Sequence, residues 1–138
     1  MQREPLHYQF VRIAKQYGDK LAFIDRGLQR NFTYSRTLTA SLILAAKLKT
    51  LDEPLVGVML PTSAGAAIVL LALLMNGKTP VLLNYSTVVQ ANVEYARKKC
   101  DFYTVITAKG CWRNSRRRSL TDLSSSRTCS TMFRSMTR

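Results

Sequence analysis

Histidine, cysteine and acidic residues are scarce in this chain of 138 residues. His7 is the only histidine, which excludes a metal site built from several histidines, and we expect it on the surface beside the first helix. The three cysteines are spaced by 11 and 18 residues, which fits neither a disulfide framework nor a set of metal ligands. A reducing, cytoplasmic compartment is therefore expected.

Long hydrophobic runs are also absent. The first thirty residues carry charged side chains throughout, so we expect no secretory signal peptide. The most apolar segment, residues 64–75, has 12 residues, whereas about 20 are needed to cross a bilayer. This segment predicts a helix buried within the protein and no transmembrane span.

The charge is strongly basic and unevenly distributed. Eight acidic side chains stand against 21 basic ones, giving +13, of which residues 1–109 carry +7 and the last 29 residues carry +6. Hydrophobic residues make up 46% of the chain against 21% charged, which excludes a chain that is disordered throughout. The length fits one domain.

Residues 1–109 alternate between helical and strand periods in a regular order. The spacing predicts helices near residues 5–18, 38–48, 63–76 and 89–100, and strands at 21–24, 30–34, 55–60, 79–83 and 103–107. The buried face of the second helix is predicted to hold Leu38, Leu42, Ala45 and Leu48. A helix lies between each consecutive pair of the last three strands, and this spacing requires parallel strands joined by crossovers. The predicted fold is α/β, with a partial, open and mainly parallel sheet, flanking helices and a small antiparallel element in front.

The composition changes at Lys109. The last 29 residues contain seven Arg, seven Ser and four Thr, no Lys, and no helical or strand period. Such a segment cannot bury enough apolar surface to offset the entropy of ordering it. We therefore predict a domain over residues 1–109 and a disordered, Arg/Ser-rich tail over residues 110–138.

Several residues have a chemical interpretation that the sequence does not favour. Gly77-Lys78-Thr79 is similar to the end of a phosphate-binding P-loop, but Ala72 stands where that motif needs glycine, and the segment follows a helix. A glycine that ends the helix is the favoured interpretation. Cys100 completes an apolar helix face and is predicted to be core, while Cys111 and Cys129 fall in the tail.

The tail also suggests an alternative function. Arg116-Arg117-Arg118, with Trp112 nearby, is typical of contacts with nucleic acid or an anionic membrane. Clusters of like charge are more often solvated segments, so no nucleic-acid partner is expected. A small α/β module whose basic tail binds nucleic acid or anionic lipid nevertheless stays open as an alternative.

Five segments of residues 4–109 carry a resemblance to a known family. They are residues 6–10, 21–25, 32–34, 56–63 and 74–84. In this order they resemble the opening of the AMP-forming acyl-activating enzymes: a first helix, a short strand, a Thr-Tyr helix start and two strand ends. Residues 80–86 and 104–107 are most similar to the acyl carrier protein synthetase half of the bifunctional acyltransferases that reacylate lysophospholipids. One departure is Arg36, which stands where the family completes a capping box with Glu.

The resemblance implies an N-terminal fragment of an ATP-dependent, AMP-forming ligase of fatty acid and phospholipid metabolism. Members activate a fatty acid with ATP and Mg²⁺ and pass it to the thiol of acyl carrier protein or coenzyme A. In that family the groups that bind phosphate, Mg²⁺ and ribose, and a catalytic lysine, lie further along the chain. No catalytic, cofactor-binding or metal-binding residue is therefore assigned here, and the fragment is expected to be inactive alone. Relatives of full length can associate with the inner membrane.

A further interpretation is that the tail is the continuation of the family's sequence, translated in a shifted reading frame. A reading frame displaced by two bases must encode Leu where the codons of Cys111 and Trp112 meet, Val after Met132 and Asp after Met136. With permitted synonymous codons, the displaced frame can encode an acidic, amphipathic sequence. A frameshift would explain why lysine disappears together with the periodicity. An intact accessory subunit, which works with a separately encoded remainder of the ligase, is also left open.

Overall fold

The chain folds into alternating helices and strands that group into two units. The computed structural model describes residues 4–27, 29–86 and 88–108. Within them lie, in chain order, α1 (Leu6–Gln16), β1 (Leu21–Asp25), β2 (Arg30–Thr33), α2 (Tyr34–Leu48), β3 (Leu55–Met59), α3 (Ala64–Met75), β4 (Thr79–Leu82), α4 (Val89–Cys100) and β5 (Val105–Thr107). One unit contains α1, β1, β2, α2 and α3, and the other contains β3, β4, α4 and β5.

The first unit begins with the predicted helix and antiparallel element. Pro5 directly precedes α1, because its fixed φ suits the entry to a helix and its missing N–H is not needed there. The helix ends where the N–H of Tyr17 donates to the carbonyl of Ile13 at 2.8 Å. β1 and β2 pair antiparallel, with Asp25 opposite Arg30. Both predictions are confirmed.

Thr33 caps the N-terminus of α2 through its side chain. Its Oγ1 accepts the N–H of Arg36 at 3.3 Å, which satisfies one of the amides that a helix start leaves without a partner. The reciprocal bond of a capping box needs an acceptor at position 36, and a guanidinium has none. The cap is therefore only half of the motif.

The predicted buried face of α2 is partly wrong, because Leu42 is 53% exposed. The buried residues of the helix are Thr37, Ser41, Leu44, Ala45 and Leu48. Thr37 Oγ1 donates to the carbonyl of Thr33 at 2.8 Å, and Ser41 Oγ donates to the carbonyl of Thr37 at 2.8 Å. Since each hydroxyl is satisfied within its own helix, both residues can be buried at little cost, and their small side chains leave room for α3 to pack on α2.

Two side chains hold the N-terminus of the apolar helix α3. Ser63 Oγ accepts the N–H of Ala66 at 3.2 Å. The buried carboxylate of Asp25 accepts the N–H of Ala64 at 3.0 Å, which places negative charge at the positive end of the helix dipole. Across the described residues, no helix has the length and apolar character that a bilayer crossing requires.

The second unit is built on a parallel sheet with the strand order β4-β3-β5. β3 is central, pairing Gly57 with Val81 on one side and with Val105 on the other. Its residues 56–59 are all buried, so side chains on both faces of the strand are shielded from water, as the nearly continuous apolar sequence predicts. The predicted α/β fold with a mainly parallel sheet is confirmed.

The core of the second unit lies between α4 and this sheet. Its buried members are Met59, Leu83, Val89, Val93 and Phe102. Gly57 makes this packing possible, because a Cβ at its position would lie 2.7 Å from Cε2 of Phe102. Phe102 is 1% exposed, so the ring occupies the space that a larger residue in β3 would need.

The predictions for residues 110–138 fall outside the described part of the chain. They concern the disordered tail and its shifted reading frame, the basic run Arg116-Arg117-Arg118, and the thiols of Cys111 and Cys129. They stay predictions.

Candidate functional site

The carboxyl edge of the parallel sheet is the candidate functional site. In open α/β sheets, ligands bind where parallel strands end and the following loops leave the sheet. In the second unit these segments are residues 60–61 after β3, residues 83–86 after β4, and Ala108 after β5. All three strands run in the same direction, so these segments lie at one edge.

Asn84 organises the loop that follows β4. Its side-chain Oδ1 accepts the N–H of Ser86 at 2.9 Å and the hydroxyl of Ser86 at 2.7 Å, which is an Asx turn. Tyr85, between them, packs on the core beneath α4. The loop therefore presents neutral amide and hydroxyl groups, held in place by bonds within the loop itself.

The helix α4 starts next to this loop with an unusual residue. Val88, its N-cap, has φ +40° and ψ +48°, a left-handed conformation that costs a non-glycine residue about 1–2 kcal/mol. Its side chain makes no capping hydrogen bond, and the first turn of the helix holds no acidic residue. The positive end of the α4 dipole therefore lies beside the Asn84 turn. No acidic side chain in the first turn of α4 compensates it.

The described residues do not form a magnesium site. No group of three or more His, Cys, Asp or Glu side chains among residues 4–27, 29–86 and 88–108 could hold a metal ion. Among the described residues at the carboxyl edge, the polar side chains are those of Asn84, Tyr85, Ser86 and Thr107, and none of them is a carboxylate. Carboxylates are the usual protein ligands of Mg²⁺, so these residues alone do not fit that ion.

The residues of the P-loop-like segment have a structural role, as predicted. Gly77 has φ +67°, and the amides of Gly77 and Lys78 donate to the carbonyls of Leu74 and Leu73, each at 3.0 Å. This is the Schellman pattern that ends a helix. The ammonium of Lys78, a buried residue, donates to the carbonyl of Leu51 rather than pointing at a phosphate-sized space.

His7 and Cys100 lie away from the carboxyl-edge loops in sequence, and neither joins a group of metal-ligating side chains. His7 is in α1 itself and is half-buried, with its ring centroid 4.5 Å from that of Tyr8, which corrects the expected surface position. Its Nδ1 is buried and makes no hydrogen bond within the described structure. Cys100 is partly buried against the core beneath α4, as predicted.

Glu53 is an important residue that the sequence did not single out. Its carboxylate accepts the N–H of Tyr103 at 2.7 Å, the N–H of Thr104 at 3.1 Å, and the hydroxyl of Thr104. These bonds hold the chain where it enters β5. The strand begins at Val105, two residues later than predicted, although the carbonyl of Thr104 already accepts the N–H of Gly57 in β3 at 2.9 Å. The partners are about fifty positions apart, so no local sequence signal could have found this contact.

Comparison with a protein-family model identifies the class of protein. The model for AMP-binding enzymes matches residues 10–135, which is most of the chain. The chain therefore belongs to the AMP-binding enzyme family. Comparison with curated proteins finds no match.

Several solved structures share the fold of this chain. The Klebsiella oxytoca NpsA N-terminal subdomain in complex with 3-hydroxyanthranilyl-AMSN has 22% identity and a TM-score of 0.69, covering 76% of this chain and 27% of that chain. The luciferase-like enzyme of the mealworm Zophobas morio has 19% identity and a TM-score of 0.70, covering 80% and 27%.

A third similar structure includes a carrier domain. It is the artificially fused adenylation–PCP di-domain NpsA-ThdA from Klebsiella oxytoca, with 22% identity and a TM-score of 0.69, covering 78% of this chain and 20% of that chain. The chain thus spans about a quarter of the length of the structures that it matches. At these identities the likeness shows the fold.

Proposed function

We propose that this chain is the N-terminal part of an AMP-forming ligase that activates a fatty acid and transfers it to the thiol of a carrier protein or coenzyme A. The observation that carries the proposal is the family match over residues 10–135 together with the parallel order β4-β3-β5. The acyl carrier protein synthetase half of the lysophospholipid-reacylating enzymes is the member proposed, which places the reaction in phospholipid repair.

The segments that resemble this member fall at the carboxyl edge of the sheet. Residues 80–86 cover β4 and the Asn84 turn, and residues 104–107 cover β5. Parallel strands that end in neutral, partly apolar loops suit the wall of a site for an uncharged acyl chain better than a site for phosphate. This supports a scaffolding role for the chain in the proposed ligase.

The chemistry itself is proposed to reside in other parts of the ligase. ATP would supply the adenylate and Mg²⁺ would neutralise its phosphates, but the described residues offer no carboxylate set to hold that ion. The proposal is therefore that residues 1–138 alone are inactive and that activity requires the remainder of the ligase.

The proposed acceptor is a carrier protein. Support comes from NpsA-ThdA, in which an adenylation domain is fused to a PCP, and from PA1221, an NRPS protein containing adenylation and PCP domains. Both share the fold of this chain. The proposed compartment is the cytoplasm, where ATP is available and thiols stay reduced.

Pyrophosphate exchange tests the proposed function. The purified chain is assayed alone, and after co-expression with the remaining domains of an acyl carrier protein synthetase, with those domains alone as the control. We expect exchange that depends on fatty acid only from the co-expressed pair. Exchange by the chain alone, equal activity of the remaining domains without it, or activation of aryl acids in place of fatty acids would each contradict the proposal.

A further inference from the structure

The sequence contains one Asn-Gly pair, Asn76-Gly77, and it lies at the C-terminal end of α3. Asparagine is chemically labile, most of all before glycine, which has no side chain to hinder attack by its backbone nitrogen. In deamidation, that nitrogen loses its proton and attacks Cγ of the asparagine, the new C–N bond closes a succinimide ring, and Nδ2 leaves as ammonia. Water then opens the ring to aspartate or isoaspartate, so one water is consumed for each ammonia released.

The fold keeps the two reacting groups of this pair apart. Nδ2 of Asn76 donates to the carbonyl of Ala45 in α2 at 2.7 Å, and the N–H of Gly77 donates to the carbonyl of Leu74 at 3.0 Å. The ψ of Asn76 is +10°, so its own backbone nitrogen is nearly eclipsed with that of Gly77 and its Cβ is turned away. Closing the succinimide ring needs the opposite arrangement, in which Cβ is nearly eclipsed with the nitrogen of Gly77.

The residues on both sides of the pair are anchored in the first unit. Leu73 is fully buried, and its carbonyl accepts the N–H groups of Asn76 and Lys78, each at 3.0 Å. Lys78 is buried too, and its ammonium donates to the carbonyl of Leu51. Simple fraying of the helix end therefore does not free the pair, and the ring geometry is reached only when this end of α3 separates from α2.

We propose that Asn76-Gly77 is a deamidation site that the folded chain protects and that reacts when α3 separates from α2. The product cannot restore the joint between the two helices. An ionised aspartate has no proton to donate to the carbonyl of Ala45, and it adds negative charge at the negative end of the α3 dipole. Each opening thus allows a covalent change that makes the next opening easier. This inference is independent of the proposed ligase activity.

The other asparagines of the described chain serve as internal controls. Asn31, Asn84 and Asn92 are followed by Phe, Tyr and Val, whose side chains hinder attack by the backbone nitrogen. Asn114 precedes a serine and lies outside the described residues, so its conversion must be measured separately.

Peptide mapping of the full chain by mass spectrometry tests the site. The chain is incubated in mildly alkaline buffer, with and without enough guanidinium chloride to unfold it, and conversion at each asparagine is followed over time. We expect conversion at Asn76 to be at least about tenfold slower in the folded chain than in the unfolded one, because only the open population reacts. Conversion at Asn31, Asn84 and Asn92 should be slow in both conditions.

Two substitutions away from the pair test whether separation of α3 controls the reaction. Ser63→Ala removes the cap at the other end of α3, and Thr39→Ala removes an exposed hydroxyl that donates to the carbonyl of Ser35 within α2. Loss of a cap raises the open population about fivefold, so Ser63→Ala should deamidate about fivefold faster. Thr39→Ala should react like the unchanged chain. If circular dichroism shows that Ser63→Ala is unfolded, its rate should equal that in guanidinium chloride.

Asn76→Asp reproduces one product of the reaction. Amide hydrogen exchange at Gly77 and Lys78 should be about tenfold faster in this variant than in the unchanged chain, and less affected in Asn76→Gln, which keeps an amide donor. Equal conversion of Asn76 in folded and unfolded chains, equal rates in Ser63→Ala and Thr39→Ala, or unchanged exchange in Asn76→Asp would each overturn the proposal.

Discussion

Replacing Gly57 by alanine is expected to destabilise the second unit, because the new methyl group has no space. Its Cβ would lie 2.7 Å from Cε2 of Phe102, 3.0 Å from Cγ2 of Val105 and 3.1 Å from Cδ1 of Leu83. Three neighbours at once prevent relief by moving any one of them, and Phe102 is too deeply buried to rotate into solvent. Overpacking of this kind costs about 1–3 kcal/mol of unfolding free energy.

Urea denaturation, followed by circular dichroism, measures this cost. Gly27→Ala is the matched control, because its new Cβ would meet only Oδ1 of Asp25 at 3.5 Å, an ordinary contact. Phe102→Leu removes the ring carbon that lies nearest the new methyl group. We expect Gly57→Ala to cost less in the Phe102→Leu background by at least about 0.5 kcal/mol, the coupling typical of residues in contact. If Gly57→Ala unfolds like Gly27→Ala, or if Phe102→Leu brings no relief, the packing argument is refuted.

Three further substitutions test the hydrogen bonds described above, each by urea unfolding. Glu53→Gln should lower the free energy of unfolding by about 1.5–3 kcal/mol, since an amide keeps only one of the two acceptor oxygens. Glu94→Gln on the surface should change it little, and equal effects of the two substitutions would contradict the role of Glu53. Arg36→Glu should stabilise the chain by about 0.5–1 kcal/mol by completing the capping box with Thr33, and a loss of stability would show that the N-terminus of α2 does not have this geometry. Gly77→Ala should cost about 1–2 kcal/mol because of its φ of +67°, and a neutral result would exclude the left-handed turn.

Elements whose limits depend on local chemistry could be predicted closely from the sequence. The apolar helix α3 was expected over residues 63–76 and spans Ala64–Met75. Its limits follow from Ser63, which caps the first turn, and from Gly77, which adopts the left-handed conformation that ends it. The parallel order of the last three strands likewise follows from the helix between each pair, and this order locates the carboxyl edge.

Buried polar residues and contacts distant in sequence could not be predicted from the apolar pattern. Thr37 and Ser41 are polar in sequence, so the apolar pattern placed Leu42 on the buried face of α2, although the two hydroxyls are satisfied by their own helix. The bonds of Glu53 to Tyr103 and Thr104 join residues about fifty positions apart. Neither periodicity nor a local motif encodes such a pairing.

The two units are interleaved along the chain. The polypeptide leaves the first unit after Asp52, returns at Thr62, and leaves it again after Lys78. Neither unit can therefore be excised by a single cut. Cleavage after Lys78 would separate β3 from β4 and β5, the two strands that pair with it. Making residues 53–61 contiguous with the segment beginning at Thr79 would require removing residues 62–78 from between them, and a simple series of terminal deletions would damage both units in turn.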